Sequence, residues 1–269
     1  MTKLPVLVGC VAYHPRIVTI WEGFLPWFER AGTPTDYVLY SNYERLVDAL
    51  LAGEVDIAWN TNTAYVAAEE RIGGDAQVLA MRDVDADFAT VIVTRRGEAF
   101  GHPGELAGTR LALGSRDSGH AAILPLHYLA QEGLDAASEC ELVRFDTDLG
   151  KHGDTGDSEL HVLRALREGR ADAGAIGDAT WALLRTTAPQ ETDGLEIAWR
   201  SPTYYHCNFT ALPSFEGGRA WAQTLLTMSY DDPSVRTEMD LEGVKRWLRA
   251  DKSGYADLTA AMLAQGHLP

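Results

Sequence analysis

The rhythm of apolar runs is the feature that most limits the folds open to this chain. Short strand-like runs alternate with longer stretches of helical spacing through most of the sequence. Val6-Leu7-Val8 reads as a short buried strand, ended by Gly9. Ile20, Phe24, Trp27 and Phe28 recur at helical spacing inside a helix expected over 17–31, which Pro26 kinks or breaks. A strand follows over Tyr37–Tyr40, then a helix over Tyr43–Ala52 that Gly53 stops. Val55–Trp59, Val78–Met81 and Ala89–Thr94 read as further strands, and Arg110–Leu113 opens a second series. Such alternation builds mostly parallel sheets with helices on both faces.

The pattern also repeats. Ala49-Leu50-x-x-Gly53-x-x-Asp56-x-Ala58 returns as Ala165-Leu166-x-x-Gly169-x-x-Asp172-x-Gly174. Each copy reads as a helix end, a left-handed glycine, an acidic turn and a core strand. Copies about half a chain apart suggest two similar α/β lobes, although any helix-to-strand turn of this type writes the same letters.

Charge and composition narrow the partners. The chain has 269 residues and a formal net charge of −16, which argues against nucleic acid and anionic membranes without forbidding a local anion site. No segment approaches the ~18 apolar residues of a membrane span, so no membrane insertion is expected. Cys10, Cys140 and Cys207 form no CxxC pair, and neither a disulfide framework nor a structural zinc site is expected. The odd thiol count suits a reducing compartment. Met1-Thr2-Lys3-Leu4-Pro5 enters a strand at once, without a basic segment and apolar stretch. The expectation is a cytoplasmic protein, or a periplasmic or extracellular one whose signal peptide lies outside this sequence.

Ligands of open α/β sheets bind beyond the carboxyl ends of strands, so the loops after strands carry the chemistry. Cys10–Arg16 offers Tyr13, His14 and Arg16, and Trp59–Thr63 offers Asn60 and Thr61. Thr63 is an alternative helix cap there. Gly114–His120 is the most informative loop. A strand runs into a Gly/Ser turn and then a helix over 119–129, so Ser115, Ser118, Gly119 and His120 would offer hydroxyls and N–H groups to an anion, or Ser115, Asp117 or Ser118 would merely cap. Gly177–Trp181 offers Asp178, and Tyr204–Asn208 offers Tyr205, His206 and Cys207. Asp146–Glu159 is polar and reads as a solvated loop, with His152 as its one cleft candidate and Asp157 or Ser158 as cap. His14, His120 and His206 with Cys10 and Cys207 could form a metal or acid/base cluster, but their spacing fits no metal motif, so no metal is expected. There is no G-x-S-x-G, P-loop or G-x-G-x-x-G, and no cofactor is expected.

These segments resemble a known family. Gly108-Thr109-Arg110-Leu111-Ala112-Leu113-Gly114-Ser115-Arg116-Asp117-Ser118-Gly119, followed by Leu124-Pro125, is similar to the anion-binding stretch of phosphonate/phosphate ABC-transporter binding proteins. Ala49 to Trp59 and His152 to Ile176 resemble two further segments of that family. The resemblance implies an α/β, two-lobed type 2 periplasmic-binding-protein fold, each lobe a mostly parallel sheet flanked by helices, with a ligand cleft between lobes. It implies a first lobe of residues 1–90 plus 200–269 and a second of 91–199. By the same resemblance Ser115, Ser118, Gly119 and His120 form the anion-binding turn, and Asn60 and Thr61 the first lobe's loop. Two departures stand out. Asp117 sits where the family has a second hydroxyl, and it would repel a phosphonate unless paired, for instance with Arg116. No signal peptide is visible.

The expected function is therefore solute binding of a small anion of the phosphonate, phosphate, sulfonate or carboxylate type, with an ABC permease as partner if the protein is exported. The alternative is a cytosolic lyase, decarboxylase or synthase of a small acid on the same fold. In that case His14, His120, His206 and Cys207 would be catalytic, with Arg16 as carboxylate anchor. A weaker third reading is a ligand sensor for a regulator.

Overall fold

A computed structural model describes residues 4–268, so the expectation for Met1–Lys3 lies outside the described residues. In chain order the elements begin β1 (Val6–Val11), α1 (Arg16–Arg30), β2 (Thr35–Tyr40), α2 (Tyr43–Ala52), β3 (Ile57–Asn60), α3 (Asn62–Ile72) and β4 (Gln77–Arg82). They continue with β5 (Thr90–Arg95), β6 (Arg110–Leu113), α4 (Leu124–Gln131), α5 (Ala136–Glu139), β7 (Glu141–Arg144), α6 (Asp157–Arg167), β8 (Ala173–Gly177), α7 (Asp178–Thr187) and β9 (Leu195–Arg200). β10 (Asn208–Ala211), α8 (Gly218–Leu225), α9 (Arg236–Glu242), β11 (Trp247–Arg249) and α10 (Ala256–Ala264) complete the chain.

Two units result, and the chain passes from one to the other at 87/88, 204/205 and 256/257. The expected second lobe of 91–199 corresponds to a unit that also takes in the segment from Asp257 onward. That tail is tied there by polar bonds: Tyr128 Oη donates to Asp257 Oδ2 (2.9 Å) and Gln265 Nε2 to Ile123 O (2.9 Å).

Unit 1 is a six-stranded sheet of order β11-β4-β10-β3-β1-β2. β1 pairs in parallel with β2 and β3, while β10 lies antiparallel between β3 and β4. Strand alternation divides its side chains between two cores. Val8, Ile57, Trp59 and Phe209 meet Ile20, Phe24 and Phe28 of α1 and Trp221 of α8 on one face. Val11 and Ala58 meet Leu46 and Leu50 of α2 and Ala68 of α3 on the other. α1 runs unbroken through Pro26.

Unit 2 is a five-stranded sheet of order β7-β6-β8-β5-β9, with β5 antiparallel to both neighbours. Val91, Val93 and Ile176 pack on Val162, Leu163 and Leu166 of α6, while Ile92, Leu111 and Leu113 pack on Leu126 and Leu129 of α4. Both sheets are thus α/β layers, with antiparallel strands mixed into the expected parallel frame.

The sequence repeat is the same structural device in each unit. Gly53 and Gly169 adopt φ of +70° and +67°, which L side chains disfavour. The following N–H groups, of Glu54 and Arg170, bond back to Ala49 O and Ala165 O at 2.9 and 2.8 Å. Asp56 and Asp172 then clamp the first strand, accepting from Leu7 N at 2.8 Å and Arg110 N at 2.9 Å.

Candidate functional site

In unit 2 the polar turn after β6 is built by competition for one carbonyl. Pro125 has no N–H to give Ala121 O, and Gly114 N takes that acceptor at 2.9 Å. The first turn, Gly119–Ile123, is therefore a wide π-helical one before α4 begins. Ser118 caps it, its Oγ accepting from Ala121 N at 3.3 Å. The opening N–H groups of such a helix have no intrahelical acceptor and face the positive end of its dipole.

The segment 146–158, expected to be a solvated loop, folds against this turn. Ser115 Oγ accepts from Asp148 N (2.8 Å) and donates to Phe145 O (3.4 Å). Asp148 is itself buried, its Oδ2 accepting from Ser158 N at 2.9 Å and its Oδ1 from the Thr155 hydroxyl. A Cβ on Gly153 would lie 2.8 Å from Ser118 Oγ and 3.1 Å from the His120 ring, so the loop backbone touches both. Asp148, Gly153 and Ser158 of the segment are buried while the rest stays half-exposed or exposed, and Asp148 can be buried because N–H and hydroxyl groups satisfy it, which composition does not show.

His120 is buried and its Nε2 stands 3.4 Å from Glu159 Oε2. Burial pushes this imidazole pKa down, but the Glu159 charge and hydrogen bond outweigh burial and hold it above the ordinary value. Glu159, which the sequence reading missed, also accepts from Gly177 N (2.7 Å) and Thr180 Oγ1 (2.8 Å). A capping-type carboxylate at the start of α6 was its only sequence signal. Thr90 Oγ1 donates to His120 O at 2.8 Å.

Arg116 does not pair with Asp117, as the sequence had suggested. It binds Asp146, through its backbone N to Oδ1 (2.9 Å) and Nε to Oδ2 (3.0 Å). Asp117 Oδ2 instead accepts from Gly150 N at 2.6 Å, with His152 Nε2 at 3.9 Å. Its Oδ1 is buried with no hydrogen-bond partner. Burial, reinforced by Asp146 and Asp148, raises the Asp117 pKa to about 6 against the pull of the Gly150 N–H and of its own backbone N–H. Ser158 Oγ is likewise buried and without a partner. Asp178 is engaged elsewhere, accepting from Ala89 N (3.2 Å) and pairing with Arg200.

In unit 1, Asn60 ends β3 fully buried, and both atoms of its amide lack partners. Thr61, not Thr63, caps α3 by accepting from Ala64 N at 3.2 Å. Tyr205 is half-buried, its ring edge-on to Tyr255 at 5.7 Å. His14 and Arg16 are exposed; His14 Nδ1 accepts from Arg16 N (3.1 Å), and the Arg16 guanidinium lies 5.8 Å from the Tyr13 ring.

His206 and Cys207 lie in a buried ionic cluster of unit 1. His206 Nδ1 is 3.0 Å from Cys207 Sγ and 3.4 Å from Asp85 Oδ1. Asp85, His206 and Cys207 are the one group of possible ligand atoms within 4.8 Å of each other among the described residues. Within unit 1, His14 and Cys10 belong to no such group among the described residues. Arg82 already donates to both Asp85 oxygens, at 2.7 and 2.9 Å, and to Glu242 O at 2.9 Å. A cation at Asp85 would meet that guanidinium, so the cluster reads as an ion pair that ties β4 to the loop before β10.

Known proteins extend this picture. A family model described as "ABC transporter, phosphonate, periplasmic substrate-binding protein" matches residues 11–255. The probable ABC transporter phosphite-binding protein PhnD1 of Prochlorococcus marinus (strain MIT 9301) is 23% identical over 234 residues, spanning 82% of this chain and 75% of that protein. A PhnD1 structure from that organism in complex with methylphosphonate superposes with a TM-score of 0.76 at 19% identity, covering 98% of each chain. The periplasmic aliphatic sulphonate binding protein SsuA of Escherichia coli superposes with a TM-score of 0.65 at 15% identity, covering 100% of this chain and 89% of its own. At these identities the superpositions speak for the fold. None of these matches supports the lyase, decarboxylase or synthase alternative, or the cytoplasmic expectation. No helix among the described residues is long and apolar enough to cross a membrane.

Proposed function

Because the chain belongs to the family of phosphonate-type periplasmic substrate-binding proteins of ABC transporters, we propose that it captures a small tetrahedral oxyanion on the Ser115–His120 turn of unit 2. The observation that carries this reading is the pairing of a helix start with an unmet, fully buried hydroxyl. Gly119 opens the turn ahead of its first helical hydrogen bond, from Ala122 N to Ser118 O (3.2 Å), and Ser158 Oγ, 0% exposed as part of its residue, lacks any partner. A phosphonate oxygen would satisfy both, in a site where displaced water is replaced by fixed donors. In unit 1, taken by itself, Asn60 has the same property, a buried amide with nothing to bond, and it is that unit's own binding candidate.

On the same reading the protein works in the periplasm and passes its ligand to an ABC permease. Its histidines then serve binding and packing rather than proton transfer. Titration calorimetry with methylphosphonate and with phosphite tests the reading. Wild type binds at least one of them. Ser158→Ala weakens that binding by about tenfold or more, the loss of one hydrogen bond to a charged group. Absence of heat with every small phosphonate, phosphite and sulfonate offered overturns it.

A further inference from the structure

The turn that would receive the oxyanion carries a carboxylate with one oxygen unused. Asp117 Oδ2 takes the Gly150 N–H, but Oδ1 is buried and receives no donor. An oxyanion offers acceptors only, unless it carries a proton. A negative oxygen set against an unsatisfied carboxylate oxygen is repulsive, and the charges nearby do not relieve it. Arg116 is spent on Asp146, and the loop charges that act most on Asp117 are Asp146 and Asp148, both acidic; the loop's other titratable groups are Lys151, which Asp154 attracts, and the His152 ring, 3.9 Å from the other Asp117 oxygen. Ser158 Oγ is an independent unmet group beside the same turn, 3.1 Å from where a Cβ on Gly114 would stand, and it can donate to the ligand but not relieve Asp117 if its proton is so used.

We infer that Asp117 makes this turn selective for oxyanions that bring their own proton: a hydrogen phosphonate donates its P–O–H to Asp117 Oδ1, while a sulfonate of equal size, which has no proton near neutrality, is refused. The inference rests on the oxyanion reading above and decides between the phosphonate and sulfonate branches that the fold leaves open. Its logic is that of any site built around a buried acceptor, where an analogue lacking the donor leaves that acceptor unpaired. A sulfonate can bind only when Asp117 itself holds a proton, and the raised Asp117 pKa of about 6 brings that state within reach of mild acid.

The test is calorimetry with methylphosphonate and methanesulfonate from about pH 5 to about pH 8. At the neutral end, wild type binds methylphosphonate at least about thirtyfold more tightly than methanesulfonate. Methanesulfonate binding strengthens as pH falls, approaching about tenfold per unit above the Asp117 pKa. In Asp117→Asn the carboxamide supplies a donor itself, so the two probes converge to within about threefold and the sulfonate loses most of its pH dependence. His120 and His152 also gain charge in acid, and they remain in this variant. A sulfonate pH dependence that persists in Asp117→Asn therefore overturns the inference, as does equal wild-type affinity for both probes at neutral pH. Asp117→Ser, also a donor, replaces the Asn variant should that one not fold, and the wild-type series needs no variant. If wild type binds neither probe at any pH, the oxyanion reading itself fails, an outcome distinct from loss of discrimination alone.

Discussion

Asp117 and Asp85 show how the same residue type is set to opposite tasks by its neighbours. Asp85 is wholly buried, yet its pKa falls to about 2, because Arg82 and His206 outweigh the burial that pushes it up. Its contribution to stability is complete above the ordinary carboxylate range and is lost as pH drops from about 4 toward 2. Asp117 makes no hydrogen-bonded ion pair with an arginine to offset its burial, and its pKa rises to about 6. The folded protein therefore binds this proton more tightly than the unfolded chain does, and stability declines as pH rises from about 4 to 6. A side chain kept for ligand discrimination is thus held at a cost to the empty protein. Asp117→Asn is expected to stabilise the unliganded protein by on the order of 1–2 kcal/mol above about pH 6. The gain vanishes near pH 4, where wild type is protonated too. Urea unfolding at the two pH values reads this directly, and a destabilised variant at neutral pH would show that the carboxylate serves the fold instead.

Among elements, the loop 146–158 matters most because it packs its backbone against the capped turn at Ser118 and His120. Gly153 sits at φ +89°, and any Cβ there would press to 2.8 Å from Ser118 Oγ. Gly153→Ala is expected to cost about 1–3 kcal/mol from strain and overpacking together, and to weaken phosphonate binding at least about tenfold, whereas Gly133→Ala, strained but in open space away from the turn, loses stability alone. Parallel unfolding and calorimetry separate the two effects. Much of this frame was legible in the sequence. The repeated Ala-Leu-x-x-Gly-x-x-Asp pattern marked two identical helix-to-strand clamps, and the Gly114–His120 turn was visible from its letters. The loop was not legible, because polarity was read as exposure while Asp148 and Glu159 are buried on N–H and hydroxyl partners far along the chain. β10 was missed for a related reason. It is four residues long, and its burial comes from strands β3 and β4 on either side rather than from an apolar run of its own. The Arg116–Asp146 pair likewise joins residues 30 apart, beyond any local pattern.

At the scale of the whole molecule, an anion must approach a chain whose formal charge is −16. The long-range field is repulsive, and attraction sets in only within reach of the helix start, whose dipole acts over a few ångströms. Arg116, the cation within the turn itself, adds little, since Asp146 neutralises it. Binding and encounter are therefore governed by opposite signs of charge. Raising ionic strength from about 0.01 M to about 0.15 M shortens the screening length from about 30 Å to about 8 Å, which removes the distant repulsion and leaves the local donors almost untouched. Stopped-flow association of methylphosphonate is expected to accelerate several-fold over that range, with dissociation nearly constant, the reverse of an electrostatically steered anion receptor. Association that slows with salt would mean that a positive local field already outweighs the net charge at encounter distance, and that the acidic surface has no part in setting the rate.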